Sequence, residues 1–166
     1  PRSRLHPVAP LPRRVRVAQA QGDGPGRGAT RHATLHSFRF FGLVFIVPGV
    51  VGPNLPADFA VFAAYGDFAT GVLAMLALLT VRIRPLFWLF VVAFNVVGAA
   101  DIIIDYYHGN QVGLPALAGE LGATYAIPIV YVPALMITHV VAFYLLVRLQ
   151  PKAARARGGL LQSATR

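Results

Sequence analysis

From Phe38 onward the chain reads as four apolar stretches broken by short polar or proline-bearing joints, whereas residues 1–35 show no sustained apolar period. The stretches are Phe38–Gly52 (interrupted by Pro48-Gly49), Phe59–Val81, Leu86–Tyr107 and Thr124–Val147. A helix needs about 20 residues, within a range of about 17–25, to cross the hydrocarbon core of a bilayer. The last three stretches meet that length. The first meets it by extending from Ser37 through Asn54, with a re-entrant or interfacial segment as its alternative. Four such runs with almost no polar face between them do not suit a soluble fold. A backbone in lipid must satisfy its own hydrogen bonds, so helices are the expected form, and the alternating strands of a barrel do not occur. The pattern predicts an all-α fold, a four-helix transmembrane bundle, with spans at 38–54, 59–81, 86–107 and 124–147 inside a domain of residues 37–148.

The flanks differ. Residues 1–36 are rich in Pro, Gly and Arg, and residues 149–166 are short and basic. Neither buries enough apolar surface to offset its ordering entropy, so both read as disordered basic tails. No apolar core precedes Ala18-Gln19-Ala20, so the N-terminal block is not a secretory signal. The chain begins at Pro1 rather than Met, which fits a fragment or an upstream stretch carried into the reading frame.

Composition sharpens this picture. Charged residues make up 13% and apolar residues 56%, against roughly 25% charged in soluble domains. The absence of cysteine excludes disulfides, zinc–thiolate sites and thiol catalysis. The net charge is +9, and its placement matters more than its size. Eight arginines precede or open the first span (Arg2, Arg4, Arg13, Arg14, Arg16, Arg27, Arg31, Arg39). Arg82 and Arg84 lie between spans two and three, and Arg148, Lys152, Arg155, Arg157 and Arg166 follow span four. The joints 53–58 and 108–123 contain none. Four spans put all the basic segments on one side, which the positive-inside rule makes cytoplasmic, with both termini there. The expected partners are anionic lipid headgroups and a second copy or another membrane subunit, not nucleic acid. Trp88, Tyr106, Tyr107 and Tyr125 sit where interface anchors belong.

Ionisable groups inside a span are costly and need a reason. The candidates for an intramembrane polar site are Asp67, Asn95, Asp101, Asp105 and His139. At about 1.5 Å per residue, Asp67 and Asp101 fall at one depth near the outer surface, and Asn95 and His139 at another nearer the cytoplasm. Asn95, Gly98, Asp101 and Asp105 share a third of one helix's circumference. Ala60, Ala63, Asp67, Gly71 and Ala74 form a small-residue stripe suited to close packing. Two readings stay open for these groups. One is structural, with Asp67 bonded to a hydroxyl such as Thr70, Tyr65 or Thr124 and His139 to Asn95. The other is a ligand, proton or ion role. His36 falls at the cytoplasmic boundary and His108 at the outer one, so neither is level with His139 for a bis-histidine haem, and His139 with Met75 is the remaining pair. No metal site and no cofactor are expected. Pro128 and Pro133 break the fourth span, and Pro48-Gly49 the first, which suits either an internal cavity or kinked packing.

The arrangement Tyr65-Gly66-Asp67-x3-Gly71-x2-Ala74, then Asn95-x2-Gly98-x2-Asp101, then Pro128 and Pro133 ahead of His139, resembles a widespread group of small, uncharacterised bacterial multi-span membrane proteins over residues 38–148. The resemblance implies a bacterial inner-membrane setting and no activity. The functional expectation is a non-enzymatic membrane protein binding a small apolar ligand, or a partner's helices, within its bundle. The alternatives are a small oligomeric transporter or proton-coupled subunit using Asp67 and Asp101, and a membrane enzyme with His139 as base.

Overall fold

The computed structural model describes the backbone of residues 25–164 and the side chains of residues 26–148. The described residues are built from helices and turns. Helix α1 (Pro25–Ser37) runs directly into a 3-10 segment, Phe38–Ile46. Then come α2 (Ala57–Leu79) and α3 (Arg84–Gln111). A run of single turns includes α4 (Ala118–Leu121) and a π-helical turn, Ile127–Tyr131, and leads into α5 (Val132–Ala164). Three stretches are long and apolar enough to cross a membrane: Ala57–Leu79, Arg84–Gln111 and Ile127–Arg148.

Two expectations are corrected here. Residues 25–36 are helical, not disordered. The sequence offers a start signal, Pro25 at the first helical position, where its missing N–H costs nothing. The hydroxyls of Thr30 and Thr34 donate to the carbonyls one turn back, at 2.8 and 3.0 Å. What makes the helix hold is tertiary: its Ala33 and His36 are fully buried. Likewise α5 continues to Ala164, so the expected disordered tail from 149 is helical through that residue. Within it, Lys152 to Arg157 are all good helix formers, whereas Pro151 and Gly158-Gly159 are not. Residues 1–24 of the expected N-terminal tail lie outside the described residues.

The expected first span, 38–54, takes another form. Instead of one α-helix it is the nine-residue 3-10 segment, followed by turns through Pro56. Such a long 3-10 run is uncommon, and the burial pattern explains it. Arg39, Gly42 and Phe45 are the buried residues of this segment. Three residues per turn stack them on a single line facing α2, which 3.6 per turn would not do. Pro48-Gly49 then makes the turn, with Gly49 at φ 80°, a conformation open to glycine without steric cost. Gly113, at φ 65°, similarly ends α3.

α1 and the 3-10 segment pack along α2, α2 packs on α3, and α3 on α5. Apolar clusters close the two ends. At the end carrying the Arg82–Arg84 turn, Ala33 meets Ala74, Ala77, Phe87, Val91 and Phe94. At the opposite, loop-bearing end, Phe45, Leu55, Phe59, Ala60, Ala63, Leu114 and Leu121 form the second cluster. Here the loop 47–56 is tied to α4. The Gly52 N–H donates to the Glu120 carbonyl at 2.6 Å, and Asn54 donates to both Glu120 carboxylate oxygens. A smaller contact of Ile102, Val132 and Leu135 joins α3 to α5. Between the two ends lies a polar layer.

Candidate functional site: a two-tier polar core

The layer is organised around Arg39, which is fully buried. The sequence reading counted it with the tail arginines; the helical start at Pro25 places it inside the bundle. All three guanidinium nitrogens donate hydrogen bonds. Nε donates to Asp67 Oδ1 at 2.6 Å, and Nη2 reaches Asp67 Oδ1 and Asp101 Oδ2, each at 2.6 Å. Nη1 donates to the Gly98 carbonyl at 3.1 Å and, at a longer 3.5 Å, to His139 Nε2. Asp67 and Asp101 thus lie on either side of one cation. Thr70, offered above as an Asp67 partner, instead donates to the Gly66 carbonyl. Tyr65 is exposed.

Glycines make this tier possible. A Cβ on Gly66 would collide with the Asp101 carboxylate, and one on Gly42 with Asp67. On Gly98 it would lie 2.7 Å from Arg39 Nη1, His139 Nε2 and the Thr70 methyl. Gly71 lets the 3-10 backbone at Phe40 approach α2, and Ala63 belongs to the apolar cluster at the loop end.

The second tier is made of imidazoles. Asn95 Oδ1 bonds both His139 Nδ1, at 3.0 Å, and His32 Nε2, at 2.9 Å. Asn95 Nδ2 donates to the Val91 carbonyl, which fixes the amide's orientation. His139 therefore carries its proton on Nδ1, leaving Nε2 to face Arg39, and His32 carries its proton on Nε2. His36 Nε2 lies 2.9 Å from Thr138 Oγ1. That hydroxyl already donates to the Leu135 carbonyl, so His36 is the donor and its Nδ1 keeps a lone pair. His36 Nδ1 is buried with no hydrogen-bond partner among the described residues. The ring centroids are 4.4 Å apart for His32 and His36, 4.2 Å for His36 and His139, and 5.8 Å for His32 and His139.

This overturns the expectation that His36 is out of level with His139. It sits in the last turn of α1, well inside the bundle. The sequence reading also missed His32, Thr138 and Arg39. A signal existed: His32, His36 and Arg39 are spaced i, i+4, i+7, one helical face. The assignment of disorder hid it.

Asp105 stands apart from the ion pairs. It is half-buried, its Oδ1 lacks a partner among the described residues, and it lines a cavity of about 220 Å³ at the loop end with Asp67 and Pro128. Pro128 lies in the π-helical turn and Pro133 in the first turn of α5, so the prolines break the helix where it meets that cavity. A larger cavity, about 580 Å³, opens at the other end between α1, α3 and α5. Trp88, Ile137, Val141 and Leu145 line it, with His32 and Thr138 on its wall and Arg27 and Arg31 among its basic residues.

A family model described as a domain of unknown function (DUF8737) matches residues 17–147. That range takes in α1, which the resemblance over 38–148 left out. No curated protein and no solved structure matches the chain. The matched range takes in the α1 histidines, the buried arginine, the first two apolar helices and the third apolar stretch through residue 147, and the chain belongs to the DUF8737 family.

Proposed function

We propose that this is a multi-pass membrane protein whose bundle binds a small amphipathic ligand in the 580 Å³ cavity between α1, α3 and α5. Support for the membrane setting comes from an inverted distribution of polarity. The buried polar residues include Arg39, Asp67, Asn95, Asp101 and His139, while Val92, Val96, Ile103, Ile137 and Val140 are exposed. In water such a molecule would leave a large apolar surface unsatisfied; in lipid, it is the expected arrangement. α1 and the 3-10 segment together rise about 37 Å at about 1.5 and 2.0 Å per residue, enough for a fourth crossing of a core about 30 Å thick. Arg27, Arg31, Arg82, Arg84 and Arg148 then flank the same face, with both termini cytoplasmic in a bacterial inner membrane.

The observation that carries the ligand reading is the cavity's make-up: apolar walls, a few converging polar groups (His32, Thr138) and basic residues. This is the usual composition of a small-molecule site. An apolar tail and an anionic or carbonyl-bearing head fit it. Mass spectrometry of organic molecules retained by the purified protein tests this. The wild type is expected to carry a molecule that Ala142→Trp, which fills the cavity, excludes while the variant stays monodisperse and helical. Identical profiles in both proteins would end the reading.

Proton coupling is the second reading. A hydrogen-bonded chain links Asp67, Arg39, His139, Asn95 and His32, joining the two cavities. Arg39 weighs against it, because a guanidinium keeps its proton at any accessible pH and so interrupts a relay. The absence of proton flux in proteoliposomes is the expected result, and a flux abolished by Asp67→Asn would reverse the order of the two readings.

A further inference from the structure

We infer that His32, His36 and His139 form a three-histidine site for a divalent transition-metal ion, of which Zn²⁺ is the type. Each imidazole offers one nitrogen, and the three nitrogens lie within 4.8 Å of one another. Metal-bound imidazoles with bonds of about 2.0–2.1 Å hold their nitrogens about 3.3 Å apart. Closing the difference takes side-chain rotations of about an ångström.

Three further observations point to a metal. First, each ring has one nitrogen on an oxygen: His139 and His32 on Asn95 Oδ1, and His36 on Thr138 Oγ1. That is how metal-ligating histidines are held, with the second N–H given to an oxygen that fixes ring and tautomer. Second, two of the opposite nitrogens are weakly engaged or free. His36 Nδ1 is fully buried and unpartnered among the described residues, a costly state for a lone pair with nothing to accept. His139 Nε2 receives only the longest of the Arg39 contacts, at 3.5 Å. Third, the charge is right. One guanidinium against two carboxylates leaves one negative charge in excess when both are ionised, and a cation beside them offsets it. Without thiolates, an all-imidazole set suits Zn²⁺, Cu²⁺ or Ni²⁺ rather than Mg²⁺ or Ca²⁺. The large cavity reaches His32 and provides an entry path. Three protein ligands also leave a fourth position open, as in catalytic rather than structural zinc sites. The site stands whether or not the cavity holds an organic ligand.

The test uses the full chain, purified in nanodiscs through a tag without histidines and stripped with chelator. Zn²⁺ titration is expected to give one ion per chain. His36→Ala and His139→Ala should each weaken binding more than about 100-fold, Asn95→Ala by about 10- to 100-fold, and His108→Ala, at the far end of α3, not at all. Co²⁺ added to the unaltered protein should develop the intense visible bands of a four-coordinate ion, a readout that needs no variant to fold. Absence of a bound ion, a Co²⁺ spectrum like that of the hydrated ion, or an affinity in His36→Ala and His139→Ala as high as that of the unaltered protein would each overturn the assignment.

Discussion

The two tiers of the polar core lie side by side and are built on opposite principles. Around Arg39, opposite charges face each other at 2.6 Å and all three guanidinium nitrogens donate hydrogen bonds. Around Asn95, three uncharged rings share two oxygen acceptors and retain lone pairs with little to do. A closed ion-pair set is self-compensating and changes little without large cost. A set with spare donor atoms is poised to take something else. Buried polarity therefore has two meanings in one molecule: the carboxylates that look most reactive in the sequence hold the bundle together, and the less conspicuous histidines carry the capacity to bind.

Substitutions break that contrast in graded ways. Arg39→Met should do most damage, because it strands two buried carboxylates. A loss of about 3–5 kcal/mol is expected, read as a collapse of the monodisperse fraction or a steep fall in thermal midpoint. The triple variant Arg39→Met, Asp67→Asn, Asp101→Asn should recover most of that loss; if it does not, the tier is more than a self-compensating set. Asn95→Leu comes next. It leaves the His32 and His139 N–H groups without their acceptor, at about 1–3 kcal/mol, and unlike Arg39→Met it should also weaken Zn²⁺ binding about 10- to 100-fold. Gly66→Ala should cost about 1–3 kcal/mol by overpacking against Asp101, while metal binding persists. Smallest is Glu120→Ala at the exposed loop tie. A loss of up to about 1.5 kcal/mol, confined to faster hydrogen exchange in residues 47–56, separates the loop end from both tiers.

Much of this was legible from residue order. Asp67 and Asp101 at one level, and Asn95 and His139 at another, follow from counting residues along three helices. So does the small-residue stripe containing Ala63 and Gly71. The rest was not legible, for two reasons. The i, i+4, i+7 run of His32, His36 and Arg39 lies in a segment whose local composition, rich in Gly and Thr, argues against order. Its helix exists because Ala33 and His36 are buried by other helices, and no local propensity reports that. And Arg39 reads as one more basic residue in a basic tail until the helical start moves from residue 38 to Pro25.

The sequence by itself determined an all-helical chain with long apolar segments, the segregation of its basic residues to alternate joints and the common level of Asp67 and Asp101 along their helices. These depend on period, length and charge count, which are properties of a single segment. The tertiary structure alone decided that Arg39 pairs with both aspartates, that residues 25–37 form a helix, and that three histidines up to 107 positions apart share one pocket. Those outcomes depend on the cost of leaving a buried charge or N–H unpaired, and that cost is settled only when separate segments meet.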